Sequence, residues 1–140
     1  MGVISWYRAE RWLYLHHLTP LAAVIKAGIR IIWGGVIPYQ TEIGKGTVIT
    51  YHGLGVVLNK KAVIGENCRI RQHVTLASNE EGAPVLGNGV QVGAGAVIVG
   101  NVHIGDNAKI GALAFVNKDI PANCTAVGVP AKPVKFNEDM

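Results

Sequence analysis

Charge is scarce in this chain: only 16% of its 140 residues are Asp, Glu, Lys or Arg. The formal net charge of +4 is spread along the sequence rather than clustered. That suits a phosphate-bearing ligand or an anionic surface better than a dedicated nucleic-acid binder. Cysteine is limited to Cys68 and Cys124, without metal-ligand spacing and with nothing that asks for a disulfide, so a reducing compartment is expected. No apolar run is long enough to span a bilayer. The first 38 residues lack a short apolar run ending in a small-residue cleavage site, so no signal peptide is expected and a cytoplasmic location is. Aromatic residues are few, and six of the nine precede residue 40: Trp6, Tyr7, Trp12, Tyr14, Trp33 and Tyr39.

Glycine, in contrast, is abundant at 18 residues, and it is periodic. From residue 43 onward aliphatic residues recur at steps of six: Ile43, Ile49, Leu58, Ile64, Ile70, Leu76, Leu86, Val92, Ile98, Ile104, Ile110 and Val116. Six are followed directly by glycine, and the residue two places earlier is usually small, as at Thr47, Ala62, Cys68, Ala96, Ala108 and Ala114. A period of six fits neither an α-helix nor an alternating strand. It fits short strands joined by tight turns, three to a coil of 18 residues, with coils stacked as parallel strands about 4.8 Å apart. Twelve repeats make four coils. The aliphatic points inward, and the small neighbour shares a narrow interior.

The repeat is interrupted twice. The step from Ile49 to Leu58 is nine, and that from Leu76 to Leu86 is ten. Extra residues in a solenoid leave the wall as loops, usually on a binding face. The first loop is Thr50–Gly55 and contains His52; the second runs from Ala77 to Pro84. Before the repeat, residues 3–37 show apolar spacing of helical type. Pro20 divides two expected helices, with Thr19 as a candidate cap for the second. Lys26 and Arg30 share one face of the second helix. These helices either cap the open end of the coil or present a basic, Trp-bearing surface to a membrane. The expected organisation is a helical segment over 1–37, a β-helix over 38–135 and a frayed polar tail over 136–140.

The [Leu/Ile/Val]-Gly-x-x-x-x pattern, with the ending Asn117-Lys118-Asp119-Ile120-Pro121 through Gly128-Val129-Pro130-Ala131-Lys132, resembles the hexapeptide-repeat acyltransferases. The resemblance implies a mainly β fold, a left-handed parallel β-helix. It also implies acetyl-CoA as co-substrate and a homotrimer with sites between subunits. Carried over by position, Ala94 and Ala112, 18 residues apart, would line the pantetheine arm. Asn117 and Lys118 match the pair flanking the cofactor, and Lys132 and Lys135 match the basic positions that meet its phosphates.

Transfer from a thioester to an alcohol needs a base for the hydroxyl proton, commonly a neutral imidazole. The run His52-Gly53-Leu54-Gly55-Val56-Val57 resembles the His-Ala-Thr-Gly-Ile-Val-Val run of serine acetyltransferases, which implies that His52 is the base. Tyr51, His73 and Asn79, in or beside the two loops, are the candidate acceptor contacts. His16, His17 and His103 are read as surface residues. No metal is expected: a carbonic anhydrase on this fold would need three zinc-binding histidines, and His52 and His73 lack a third.

The resemblance has gaps. An Arg-His pair that serine acetyltransferases carry before a proline is replaced here by Gly82-Ala83, after two acidic residues. Val36 and Tyr51 stand where the family has acidic residues near the base, with Glu42 a weak substitute. A neutral sugar hydroxyl needs no cationic clamp, so the reading preferred from sequence is a saccharide O-acetyltransferase of a surface-polysaccharide pathway. Serine O-acetylation and a non-catalytic scaffold are the alternatives.

Overall fold

The computed structural model describes residues 2–136. Twelve short strands form three parallel sheets of stacked rungs, so the expected parallel β-helix is present with four coils. The first face carries Glu42–Ile43, Val63–Ile64, Val85–Leu86 and His103–Ile104. The second carries Val48–Ile49, Arg69–Ile70, Gln91–Val92 and Lys109–Ile110. The third carries Val57–Leu58, Thr75–Ala77, Val97–Val99 and Phe115–Val116. All twelve repeat aliphatics are buried, as are the small residues Thr47, Ala62, Cys68, Ala96, Ala108 and Ala114 beside them. Each buried Ile, Leu or Val contributes about 1.5–3 kcal/mol through area removed from water.

Register records the two interruptions. Ile49 pairs with Ile70 and Ile43 with Ile64, three residues beyond a coil of 18. Ile64 pairs with Leu86 and Leu76 with Ile98, four beyond. Past both loops, Val92 pairs with Ile110 at the plain spacing of 18. The extra residues therefore leave the wall, and the strands on either side keep their inward side chains inward.

The corner between the first and second faces is closed by its own polar side chains. The Glu66 amide donates to Asn88 Oδ1 at 2.9 Å, and the Asn88 amide to Asp106 Oδ1 at 2.8 Å. Asn67 and Asn107 turn this corner at φ of 56° and 62°, a region that Asn tolerates better than most residues. Thr47 Oγ1 donates to the Gly65 carbonyl at 2.7 Å and accepts from the Cys68 amide at 3.1 Å. Cys68 and Cys124 are free, buried thiols, and burial pushes both up from the ordinary thiol range.

Two helices cover the start of the coil, α1 (Val3–Leu15) and α2 (Thr19–Trp33). The first coil has carbonyls with no preceding rung to pair with, and α1 supplies the donors. Arg8 donates to the carbonyls of Ile43 and Gly44 at 2.6 and 2.7 Å. Arg11 donates to those of Tyr39 and Gln40 at 3.0 and 3.2 Å, and the buried Tyr7 hydroxyl donates to that of Thr41. Arg8 and Arg11 are thus engaged in capping the coil. No described helix is long and apolar enough to cross a membrane.

Three boundaries differ from expectation. Leu18, not Thr19, is the N-cap of α2; Thr19 and Pro20 lie within the first turn, where proline's fixed φ fits. The coil begins earlier than residue 38, since Val36 already bridges to Val57. After the last rung the chain forms an antiparallel hairpin, Cys124–Gly128 with Ala131–Phe136, which extends the second face. Pro133 is accommodated because its strand is the edge of that sheet. Phe136 ends this strand; residues 137–140 of the expected tail lie outside the described residues.

Candidate active site

The candidate residues fall on two edges of the third face. On the edge shared with the second face lie the first loop, then His73, Ala94 and Ala112 in successive coils. Their backbones form a ladder: the His73 amide donates to the Leu54 carbonyl, that of Gly95 to Gln72 and that of Leu113 to Ala94, at 2.9, 3.0 and 2.9 Å. On this edge the side chains of His73 and Leu113 lie over Gly55 and Gly95, where an added Cβ would be 2.0 and 2.6 Å from them. Gly93 lies so near the next coil that an added Cβ would sit 2.6 Å from the Ala112 nitrogen. Beside His73 and Leu113 the edge carries small side chains at the half-buried Ala94 and the exposed Ala112. Its far end meets the hairpin, where Val127 packs over Gly111. The exposed Lys132 and Lys135 stand on the hairpin's outer strand, paired with Val127 and Thr125. Four coil spacings separate His52 from this hairpin, about 19 Å at 4.8 Å each.

His52 lies in the short 3₁₀ turn Thr50–Gly53. Tyr51 and His52 adopt φ of 51° and 54°, a left-handed conformation that costs a non-glycine residue of order 1–3 kcal/mol and persists only where the surroundings fix it. Both side chains are exposed. The His73 ring lies directly against Gly55: a Cβ there would be 2.0 Å from His73 Nδ1. His73 therefore packs beneath the loop that carries His52.

On the other edge, shared with the first face, lie Asn79 in the second loop and the exposed Asn117 and Lys118. Asn79 serves its own loop: Oδ1 accepts from the amides of Glu81 and Gly82 at 2.8 and 3.1 Å. The structure thus brings His52, Tyr51, His73, Ala94 and Ala112 onto one edge and Asn79, Asn117 and Lys118 onto the other. Six residues of strand and turn separate the edges, roughly 15–20 Å. Glu42 lies on the outside of the first face, away from the edge that carries His52, and does not take the place of the missing carboxylate. His103 is exposed on the first face, its ring 4.0 Å from Asp119. Among the described residues no group of three or more His, Cys, Asp or Glu gathers to hold a metal.

Two further features were not assigned to the site from sequence. Lys26 and Arg30, one helical turn apart on α2, line a cavity of about 370 Å³ with Ala23, Ala27 and Val36. Their shared face was legible, but not what it faces. Glu10 is buried in α1 with neither carboxylate oxygen hydrogen-bonded. Burial pushes its pKa up to about 8, against a smaller opposing pull from Lys26.

The model of the bacterial transferase hexapeptide (six repeats) matches residues 83–118. The serine acetyltransferase of Helicobacter pylori is 38% identical over 132 residues, 91% of this chain and 77% of that protein. The chain belongs to the serine acetyltransferase branch of the hexapeptide-repeat transferases. The serine acetyltransferase of Synechococcus elongatus is 37% identical over 91% of this chain, and that match takes in 54% of its own length. Against the crystal structure of the Neisseria gonorrhoeae serine acetyltransferase the TM-score is 0.91 at 38% identity, covering 99% of this chain and 55% of that one. A serine acetyltransferase solved in complex with CoA gives a TM-score of 0.88 at 35% identity. The chain spans about half the length of several curated relatives it matches. These relatives overturn the saccharide reading. It rested on the missing cation of the second loop, and serine acetyltransferases match this chain over nearly its whole length despite that difference.

Proposed function

We propose that this chain forms the catalytic part of an acetyl-CoA-dependent serine O-acetyltransferase. The observation that carries the reading is this edge, with His52 at one end, a lysine-bearing hairpin at the other, and the small Ala94 and Ala112 between. Its span is of the order of an extended pantetheine chain. The residues present fit acetyl-CoA: Ala94 and Ala112 leave room beside them, the exposed Leu113 offers the pantetheine arm an apolar contact, and Lys132 and Lys135 offer cations to phosphates.

Acetyl-CoA supplies a thioester-activated acetyl group. His52 takes the proton from the serine hydroxyl as its oxygen attacks the acetyl carbon. The C–S bond breaks, the ester forms, and the imidazolium returns its proton to the leaving thiolate. Products are O-acetylserine and free CoA thiol, with no covalent enzyme intermediate. Such general-base catalysis contributes about 10²–10⁴-fold.

The separation of the two candidate edges supports a homotrimer. One protomer holds His52 and Asn117-Lys118 too far apart for one site, and packing edge to edge in a closed ring would unite them. Arg30 and Lys26 support a carboxylate-bearing acceptor, since they place cations on the helix whose last residue reaches His52. An acceptor panel scored by thiol release from acetyl-CoA tests the reading. L-serine is expected to react faster than any sugar or other amino acid, and the reverse ranking would refute it.

A further inference from the structure

The His52 ring is covered on one face. Trp33, the last residue of α2, lies over it with centroids 5.4 Å apart and planes 19° from parallel. Trp33 is itself held by Trp6 of α1, whose ring meets it edge-on at 4.8 Å and 74°. Trp6 in turn packs closely on Gly28, where an added Cβ would lie 3.1 Å from Trp6 Cζ3. The end of α2 is fastened to the His52 loop through the backbone. The Gly55 amide donates to the Gly34 carbonyl at 3.1 Å, and a Cβ on Gly35 would sit 2.5 Å from the Gly53 carbonyl oxygen.

A base of this kind is ordinarily oriented by a hydrogen bond from its second ring nitrogen to a carboxylate or carbonyl. Among the described residues, neither nitrogen of His52 has such a partner, and Val36 is apolar. Yet the loop's left-handed conformation shows that the surroundings fix the residue. We infer that Trp33 is a positioning residue for His52, orienting the imidazole by stacking, with Trp6 and Gly28 holding Trp33 in place. The inference rests on His52 being the base. Stacking fixes the plane of the ring without using either nitrogen. As His52 takes up the proton, the imidazolium lies over an indole face, where a cation is favoured. The helices that cap the coil would then also complete the catalytic apparatus.

The test compares wild type, Trp33→Leu, Trp33→Phe, His52→Ala and the double variant Trp33→Leu/His52→Ala in the thiol-release assay. Trp33→Leu is expected to lower kcat about 5–30-fold, the equivalent of one cation–π contact, with KM for acetyl-CoA within about twofold. Trp33→Phe should recover most of the loss. Trp33→Leu should cost nothing further in the His52→Ala background. Wild-type kcat in Trp33→Leu, beside an inactive His52→Ala, would overturn the positioning role and leave the base assignment standing. An equal loss from Trp33→Leu with or without His52 would also overturn it, as mere packing. Full activity of His52→Ala would overturn the base assignment, and the inference with it. One measurement needs no stable variant. The His52 ring-proton resonances of the wild-type protein should be shifted upfield by the Trp33 ring current, and unshifted resonances would contradict the stack.

Discussion

The Leu113 amide donates to the Ala94 carbonyl at 2.9 Å, which fixes Ala94 and Ala112 in successive coils of one edge. A large side chain in place of either alanine would stand in the proposed path of the pantetheine arm. Ala112 is exposed, so Ala112→Trp should change folding stability by no more than about 0.5 kcal/mol. It should raise KM for acetyl-CoA at least about tenfold, read by initial rates across a cofactor titration. An unchanged KM would place the pantetheine arm elsewhere.

Arg8 joins α1 to the first coil through two carbonyls. Removing a charged donor from such groups costs about 1.5–3 kcal/mol per hydrogen bond, less where water replaces it. Arg8→Ala is therefore expected to lower unfolding free energy by about 2 kcal/mol in a denaturant titration. Amide exchange should rise first around Ile43 and Gly44.

Glu10 gives the fold a pH dependence of its own. Its folded-state pKa, about 8, lies above the ordinary carboxyl value of 4.5. Between those values the folded chain holds a proton that the unfolded chain has lost, so stability falls as pH rises through this window. The loss from pH 5 to 8 is on the order of 3 kcal/mol. Glu10→Gln should flatten that slope in denaturant titrations at several pH values. An equally steep slope in the variant would place its origin elsewhere.

Arg30 tests the acceptor. If it grips the serine carboxylate, Arg30→Gln should raise KM for serine about tenfold or more and leave KM for acetyl-CoA within about twofold. Equal changes in both would point to a packing role.

Legibility followed the range of the forces involved. The coil was readable because one inward position repeats every six residues, and all twelve of those aliphatics are buried. The loops were readable as breaks in that period, and the register of Ile49 with Ile70 and of Leu76 with Ile98 reproduces them. Two kinds of feature were not readable. Contacts between distant segments, such as Trp33 over His52 and Arg8 on Ile43, obey no local period. The C-terminal hairpin was not readable because an edge strand can absorb Pro133, and edge status is decided only by the tertiary fold. The saccharide reading rested on the second loop alone, while cations also stand on α2 at Lys26 and Arg30, along the same helix as Trp33.

The most direct measurement is serine-dependent release of free thiol from acetyl-CoA by the wild-type chain and by His52→Ala, at saturating substrates and matched folding. The expected result is serine-dependent turnover in the wild type and a loss of about 10²–10⁴-fold in the variant. No serine-dependent thiol release by the folded wild-type chain, or undiminished release by His52→Ala, would contradict it.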